Sequence, residues 1–105
     1  MRVFAAFIGA VLLSTSAHAQ TAIKFALDWR FEGPAAPYFV AIDKGYYKAE
    51  GLDVTIDPGA GSVEPINRVA SGAYQVAFAD INSLIKYRDN PANAPIKAVM
   101  MGYDT

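Results

Sequence analysis

Residues 23–57, IKFALDWRFEGPAAPYFVAIDKGYYKAEGLDVTID, read as strand, loop, helix, turn and strand, and the rest of the chain repeats that order. Residues 23–27 are a short apolar run broken by Lys24. The run ends at Asp28 and Trp29, ahead of a loop punctuated by Gly33, Pro34 and Pro37. Pro37 suits the first turn of the helix that follows, where its missing N–H costs little. Gly45 suits the end of that helix, where a left-handed residue is wanted. Residues 53–57 supply the second strand. A strand, a crossover helix and a second strand over so short a distance imply a right-handed βαβ unit with parallel strands. Ligands of open parallel sheets bind beyond the carboxyl ends of the strands, so function is expected in the loops that follow them.

The remaining chain extends the pattern. A glycine-rich loop, Pro58-Gly59-Ala60-Gly61-Ser62, leads into a predicted helix over residues 63–71, with Ser62 as N-cap and Pro65 in the first turn. Val63, Ile66, Val69 and Ala70 recur at helical spacing and are expected to face the sheet. A third strand is predicted over residues 74–79. Asp80 then caps a third helix with Ile81, Leu84 and Ile85 as its buried stripe, and Lys86 and Arg88 in its last turns, where cations suit the helix dipole. Asn90, Pro91, Asn93 and Pro95 mark a loop before a fourth strand over residues 96–101. Four strands alternating with three helices predict an α/β fold, a parallel sheet with helices on both faces. Residues 20–105 are few for such a sheet, and no helix follows the last strand. They are therefore expected to be the first part of an incomplete lobe.

Residues 1–19 have the three parts of a secretory signal peptide: Arg2, an apolar stretch over residues 3–13, and the small-x-small site Ala17-His18-Ala19. Ser14, Thr15 and Ser16 interrupt the apolar stretch well short of a membrane span, and the mature chain is expected to begin at Gln20. Loss of the leader removes Arg2, one of 9 basic residues set against 10 acidic ones, and takes the net charge from −1 to −2. Mild acidity leaves no basic stripe for nucleic acid. The chain has no cysteine, and its one histidine, His18, lies in the leader. Disulfides, zinc, haem and Cys- or His-based nucleophilic catalysis lose their usual residues, so no cofactor or metal is expected.

Three groups at strand ends are candidates for a ligand site. Asp28 and Trp29 follow strand one: the indole offers a stacking face and the carboxylate an acceptor for amino groups, although both could also serve a turn and the sheet end. Gly61, Ser62 and Val63 open the second helix, where backbone N–H groups attract oxygens and anions; Glu64 offsets that attraction, and the loop lacks the spacing of a nucleotide fingerprint. Asp80 and Asn82 open the third helix, with Asp80 simplest as an N-cap. Tyr103 completes the rim after strand four. Tyr38 is the aromatic of the first helix best placed to reach the cleft, whereas Phe39, Tyr46 and Tyr47 are expected to pack. Asp28 and Asp80 could pair as acid and base, but no nucleophile or metal set accompanies them. Binding is therefore favoured over catalysis.

Leu27-Asp28-Trp29, the run APYFVAIDKGYYKAEGLDV over residues 36–54, the PGAGS loop and SGAYQVAFADINSLI over residues 71–85 together resemble the periplasmic solute-binding proteins of the nitrate, sulfonate and taurine ABC-importer group. That group includes binders of the thiamine pyrimidine precursor and the related pyrimidine synthases. The resemblance covers nearly all of residues 20–105. It implies the opening part of lobe one of a two-lobed, hinge-closing receptor of the type II periplasmic-binding fold. Such a receptor captures a small solute in the periplasm as a monomer and delivers it to an inner-membrane ABC permease. It also implies that Trp29, the turn at residues 61–63, residues 80–82 and the end of strand four face the ligand. The synthases depend on a histidine and a cysteine-rich segment, and residues 20–105 contain neither. With Asp28, Glu64 and Asp80 set against Arg30, the rim suits a pyrimidine-like or other nitrogen heterocycle better than a sulfonate or nitrate.

Overall fold

The computed structural model describes residues 19–104; the expected signal peptide falls almost wholly outside them. Its sheet has three parallel strands in the order β2-β1-β3: β1 is Thr21–Ala26, β2 is Leu52–Asp57 and β3 is Val76–Ala77. The protein is therefore of the α/β class, with β1 central. β1 and β2 pair along their full length, from Thr21 opposite Leu52 to Ala26 opposite Asp57. The chain between them passes through a 3-10 turn, Gly33–Ala35, then helices α1 (Ala36–Asp43) and α2 (Tyr46–Ala49). Helices α3 (Val63–Ala70) and α4 (Ile81–Arg88) follow β2 and β3.

The core gathers at the carboxyl end of the central strand. Phe25, Ala26 and Leu27 are all buried although Thr21, Ala22 and Lys24 are exposed. Successive strand residues point to opposite faces, so three buried neighbours in a row mean that both faces are covered at this end. Phe25, Leu27, Ala35 and Ile56 form one cluster, with Tyr38, Phe39, Val54 and Phe78 packed against it. Phe25 and Tyr38 meet edge to face at 4.9 Å, a geometry aromatic pairs prefer.

Three expectations are corrected, and one short helix is added. The first helix ends at Gly45 as expected, at φ +72°, and the chain then restarts as the single turn α2. The third strand is a two-residue ladder rather than six, although its hydrogen bonds reach further. Gln75 N donates to Lys24 O, Phe78 N donates to Ala26 O, and Gln75 Oε1 takes the Lys24 N–H at 2.7 Å where a backbone carbonyl would serve in a longer ladder. Residues 96–101 form no strand; Val99, Met100 and Met101 are largely exposed. The helix stripes are also narrower than predicted. Ile66 and Leu84 are buried, but Val63, Ile81 and Ile85 are exposed, as is Tyr46 among the aromatics expected to pack.

The loop after β2 is pressed against the end of β1. Gly59 N donates to Trp29 O at 3.2 Å, and a Cβ at Gly59 would lie 2.0 Å from Leu27 O, a backbone atom that cannot step aside. Gly59→Ala is expected to cost at least about 2 kcal/mol, the range of overpacked sites. Gly33→Ala, which meets nothing within 4 Å, should stay within about 0.5 kcal/mol. Urea denaturation of the two variants checks the contrast.

Candidate functional site

The loops after the three strands meet at one point, the hydroxyl of Ser62. Ser62 Oγ accepts the Asp80 N–H at 2.9 Å and donates to Asp28 Oδ2 at 3.4 Å, joining the segments after β2, β3 and β1. Gly61 N donates to Asp28 O at 2.7 Å and seats the same loop. Ser62 is therefore not the side-chain N-cap of α3: its own backbone is helical and its hydroxyl is directed between strand ends instead. Asp80 is an N-cap, accepting from Asn82 N at 2.8 Å, and the same oxygen takes the Asn82 side-chain amide at 3.1 Å.

Beside this junction lies a cavity of about 320 Å³, within the range of small-molecule sites. Asp28, Trp29, Tyr38, Gly61 and Tyr103 line it, five of the residues singled out from sequence. Asp80 and Asn82 line a wider, adjoining groove of about 920 Å³, which Asp28, Tyr38 and Tyr103 also border. Ser62, also expected at the site, lines neither space and touches the cavity wall only through Asp28. Val63, 67% exposed, lines neither space.

Sequence reasoning missed Glu32, Pro34, Ala35 and Phe78 among the lining residues. Phe78 was legible in principle, as it lies in the apolar run over residues 76–79 that leads to Asp80. It touches Tyr38, ring centroids 6.1 Å apart, and Tyr103 at 5.6 Å, which makes one row of three rings. Glu32 carries no local signal; the 3-10 turn after it brings it to the rim. Arg30, noted from sequence as the one fixed positive charge, lies over the Trp29 ring with its guanidinium carbon 5.2 Å from the centroid. The indole face is therefore already occupied by a cation.

A second aromatic centre joins β1, the end of β2 and α3. Tyr74 lies between the Lys24 ammonium, 4.4 Å from its ring, and the Arg68 guanidinium, and its hydroxyl donates to Asp57 Oδ2 at 2.8 Å. Arg68 also pairs with Glu64 and donates to Pro58 O. This network staples the ends of β2 and α3 together. The hydrogen bond to Asp57 holds the Tyr74 phenol above its ordinary pKa, with desolvation adding to the effect.

The fold and the placement of the cavity define an α/β protein whose candidate ligand site lies at the carboxyl ends of its parallel strands. The family model described as NMT1/THI5 like matches residues 34–105, and the chain belongs to that family. Membership supports a solute-binding or related function: most of the family are binding proteins, and its THI5 members are synthases. No curated protein and no solved structure gives a significant match.

Two outcomes follow from the geometry. Ser62→Ala deprives the Asp80 N–H of its acceptor and Asp28 of a donor, and should lower stability by about 1 kcal/mol in chemical denaturation. The Tyr38 phenol is raised above 10.0 by burial first, then by Tyr47, Tyr103 and Asp28. A raised folded pKa contributes stability that is present below the unfolded value and disappears as pH climbs through the folded one. The melting temperature should thus fall more steeply above about pH 10 than in Tyr38→Phe.

Proposed function

We propose that this protein is the substrate-binding component of an ABC importer and captures a small nitrogen heterocycle, of the type of a thiamine pyrimidine precursor. In this reading residues 1–19 are the secretory leader. Residues 20–105 are the N-terminal part of lobe one of a two-lobed receptor. The receptor works in the periplasm as a monomer, without a cofactor, and delivers its solute to an inner-membrane permease.

The observation that carries the proposal is the 320 Å³ cavity at the strand ends, in a chain of the NMT1/THI5-like family, with an indole and a carboxylate side by side on its wall. A flat ring stacks on Trp29 and its exocyclic amino group donates to Asp28. Asp28 Oδ2 is engaged by Ser62, which leaves Oδ1 as the acceptor. Hinge closure then buries the ligand between lobes, and exclusion of water strengthens each of these contacts.

Arg30 and the start of α3 favour the second reading, a nitrate, sulfonate or taurine receptor, because they supply positive charge and backbone donors. Asp28 and Glu32 on the same wall oppose it. A pyrimidine synthase would need catalytic groups other than His and Cys in residues 20–105, since these contain neither.

A thermal-shift panel of aminopyrimidines, sulfonates, taurine and nitrate on the intact protein separates the readings. A ligand of the folded state adds about 2.7 kcal/mol at a hundredfold excess over Kd. A response to the aminopyrimidines alone is expected. Trp29→Ala should then cost about 1 to 3 kcal/mol of binding in calorimetry, as for other bases stacked on aromatic side chains. A response to sulfonate or nitrate alone would transfer the site to the anion readers.

A further inference from the structure

The wall of the strand-end cavity is both aromatic and acidic, and it already holds a cation. Tyr38, Phe78 and Tyr103 form a continuous row on one side, with Trp29 on the cavity wall with them. Asp28 and Glu32 contribute two carboxylates against the single guanidinium of Arg30, so the lining is net negative. Aromatic faces attract cations through their quadrupole, and Trp does so best. Here the Trp29 indole carries Arg30 at 5.2 Å. Arg30 is exposed, and a guanidinium is planar, with its N–H donors in the plane of its charge. A ligand of the same shape and charge would meet the same indole face and leave the Arg30 side chain free to return to solvent.

We propose that the ligand of this cavity is a planar organic cation of the amidinium or protonated aminoheterocycle type, which displaces Arg30 from the Trp29 indole and donates to Asp28. The proposal rests on the reading of the Trp29 cavity as the binding site and narrows it by charge. The Ser62 hydrogen bond supports it from behind: one Asp28 oxygen is engaged, and the other is left to accept an in-plane N–H. Arg30 then acts as an internal competitor, holding the aromatic wall in place when no ligand is bound. A neutral ring gains stacking only, whereas an anion faces two carboxylates.

The test uses benzamidine, benzamide and benzoate, which share a ring and differ in charge, in titration calorimetry on the intact protein. Benzamidine is expected to bind about tenfold or more tightly than benzamide, and benzoate weakest of the three, given the strength of cation–aromatic contacts in partly desolvated sites. Arg30→Gln removes the competitor and one positive charge, and should tighten benzamidine by about two- to fivefold. Equal binding of benzamidine and benzamide, or weaker benzamidine binding in Arg30→Gln, overturns the proposal, as does failure of all three to bind. Trp29→Ala separates this from failure of the site itself. If the charge preference is absent but Trp29→Ala still weakens an aminopyrimidine, the cavity stands and only the cation falls. If Trp29→Ala changes no ligand, both fall.

Discussion

The hydroxyl of Ser62 is the point on which the upper end of the molecule depends. A serine hydroxyl has one proton and can accept as well as donate, and here each capacity is used on a different strand end: acceptance from Asp80 N–H, donation to Asp28. The loop that carries it lies flat because Gly59 has no side chain to strike Leu27 O and because Gly61 N donates to Asp28 O. Contact between the loop and the end of β1 is thus mostly backbone to backbone. Such contact is rigid, since neither partner can relieve a change by choosing another rotamer.

Rigidity at this junction gives the cavity its shape. Asp28 is held by its carbonyl and by one carboxylate oxygen, so its free oxygen has a defined direction. Tyr38 is held by Phe25 at one edge and packs beside Phe78 in the same row of rings. The larger and more exposed groups, Trp29, Arg30 and Tyr103, sit at the mouth, where adjustment costs little. Binding sites gain affinity when the groups that must be ordered are ordered beforehand. The floor of this cavity meets that condition and its rim supplies the adaptation.

Most of this arrangement was legible in the sequence, because the signals were local and mutually consistent. Alternation of strand and helix, with glycines and prolines at the joints, located β1, β2, α3 and α4 and put Asp28, Trp29 and Tyr38 at the end of the sheet where the cavity lies. Long-range interactions hid the rest. Ser62 followed by Glu64 and Pro65 reads as an N-cap, yet Asp80, at the start of α4, claims its hydroxyl, and no propensity within the loop could reveal that. Gln75 appears as an ordinary strand residue, but its side chain replaces a backbone acceptor and shortens the ladder. Residues 96–101 have a strand's composition and remain unpaired, since composition gives the tendency to pair but not the partner. Glu32 reaches the cavity through a 3-10 turn whose sequence signal is no more than a Gly-Pro step.

The polarity of the sheet has a practical consequence. Asp28 and Trp29, the groups argued to touch a ligand, follow the carboxyl end of β1, whereas Gly51 before β2 and Ser71, Gly72 and Ala73 before β3 lie at the opposite edge. Ser71, Gly72 and Ala73 are exposed, and the turn is closed by its own short hydrogen bonds, including Ser71 Oγ to Arg68 O at 2.9 Å. With no native cysteine among these 105 residues, a thiol introduced at Ala73 would be the one thiol of this segment. It would let the protein be tethered to an electrode or carry an environment-sensitive dye while the mouth of the cavity faces solution. The architecture that concentrates recognition at one end thereby provides a handle at the other, from which occupancy could be read out as a signal.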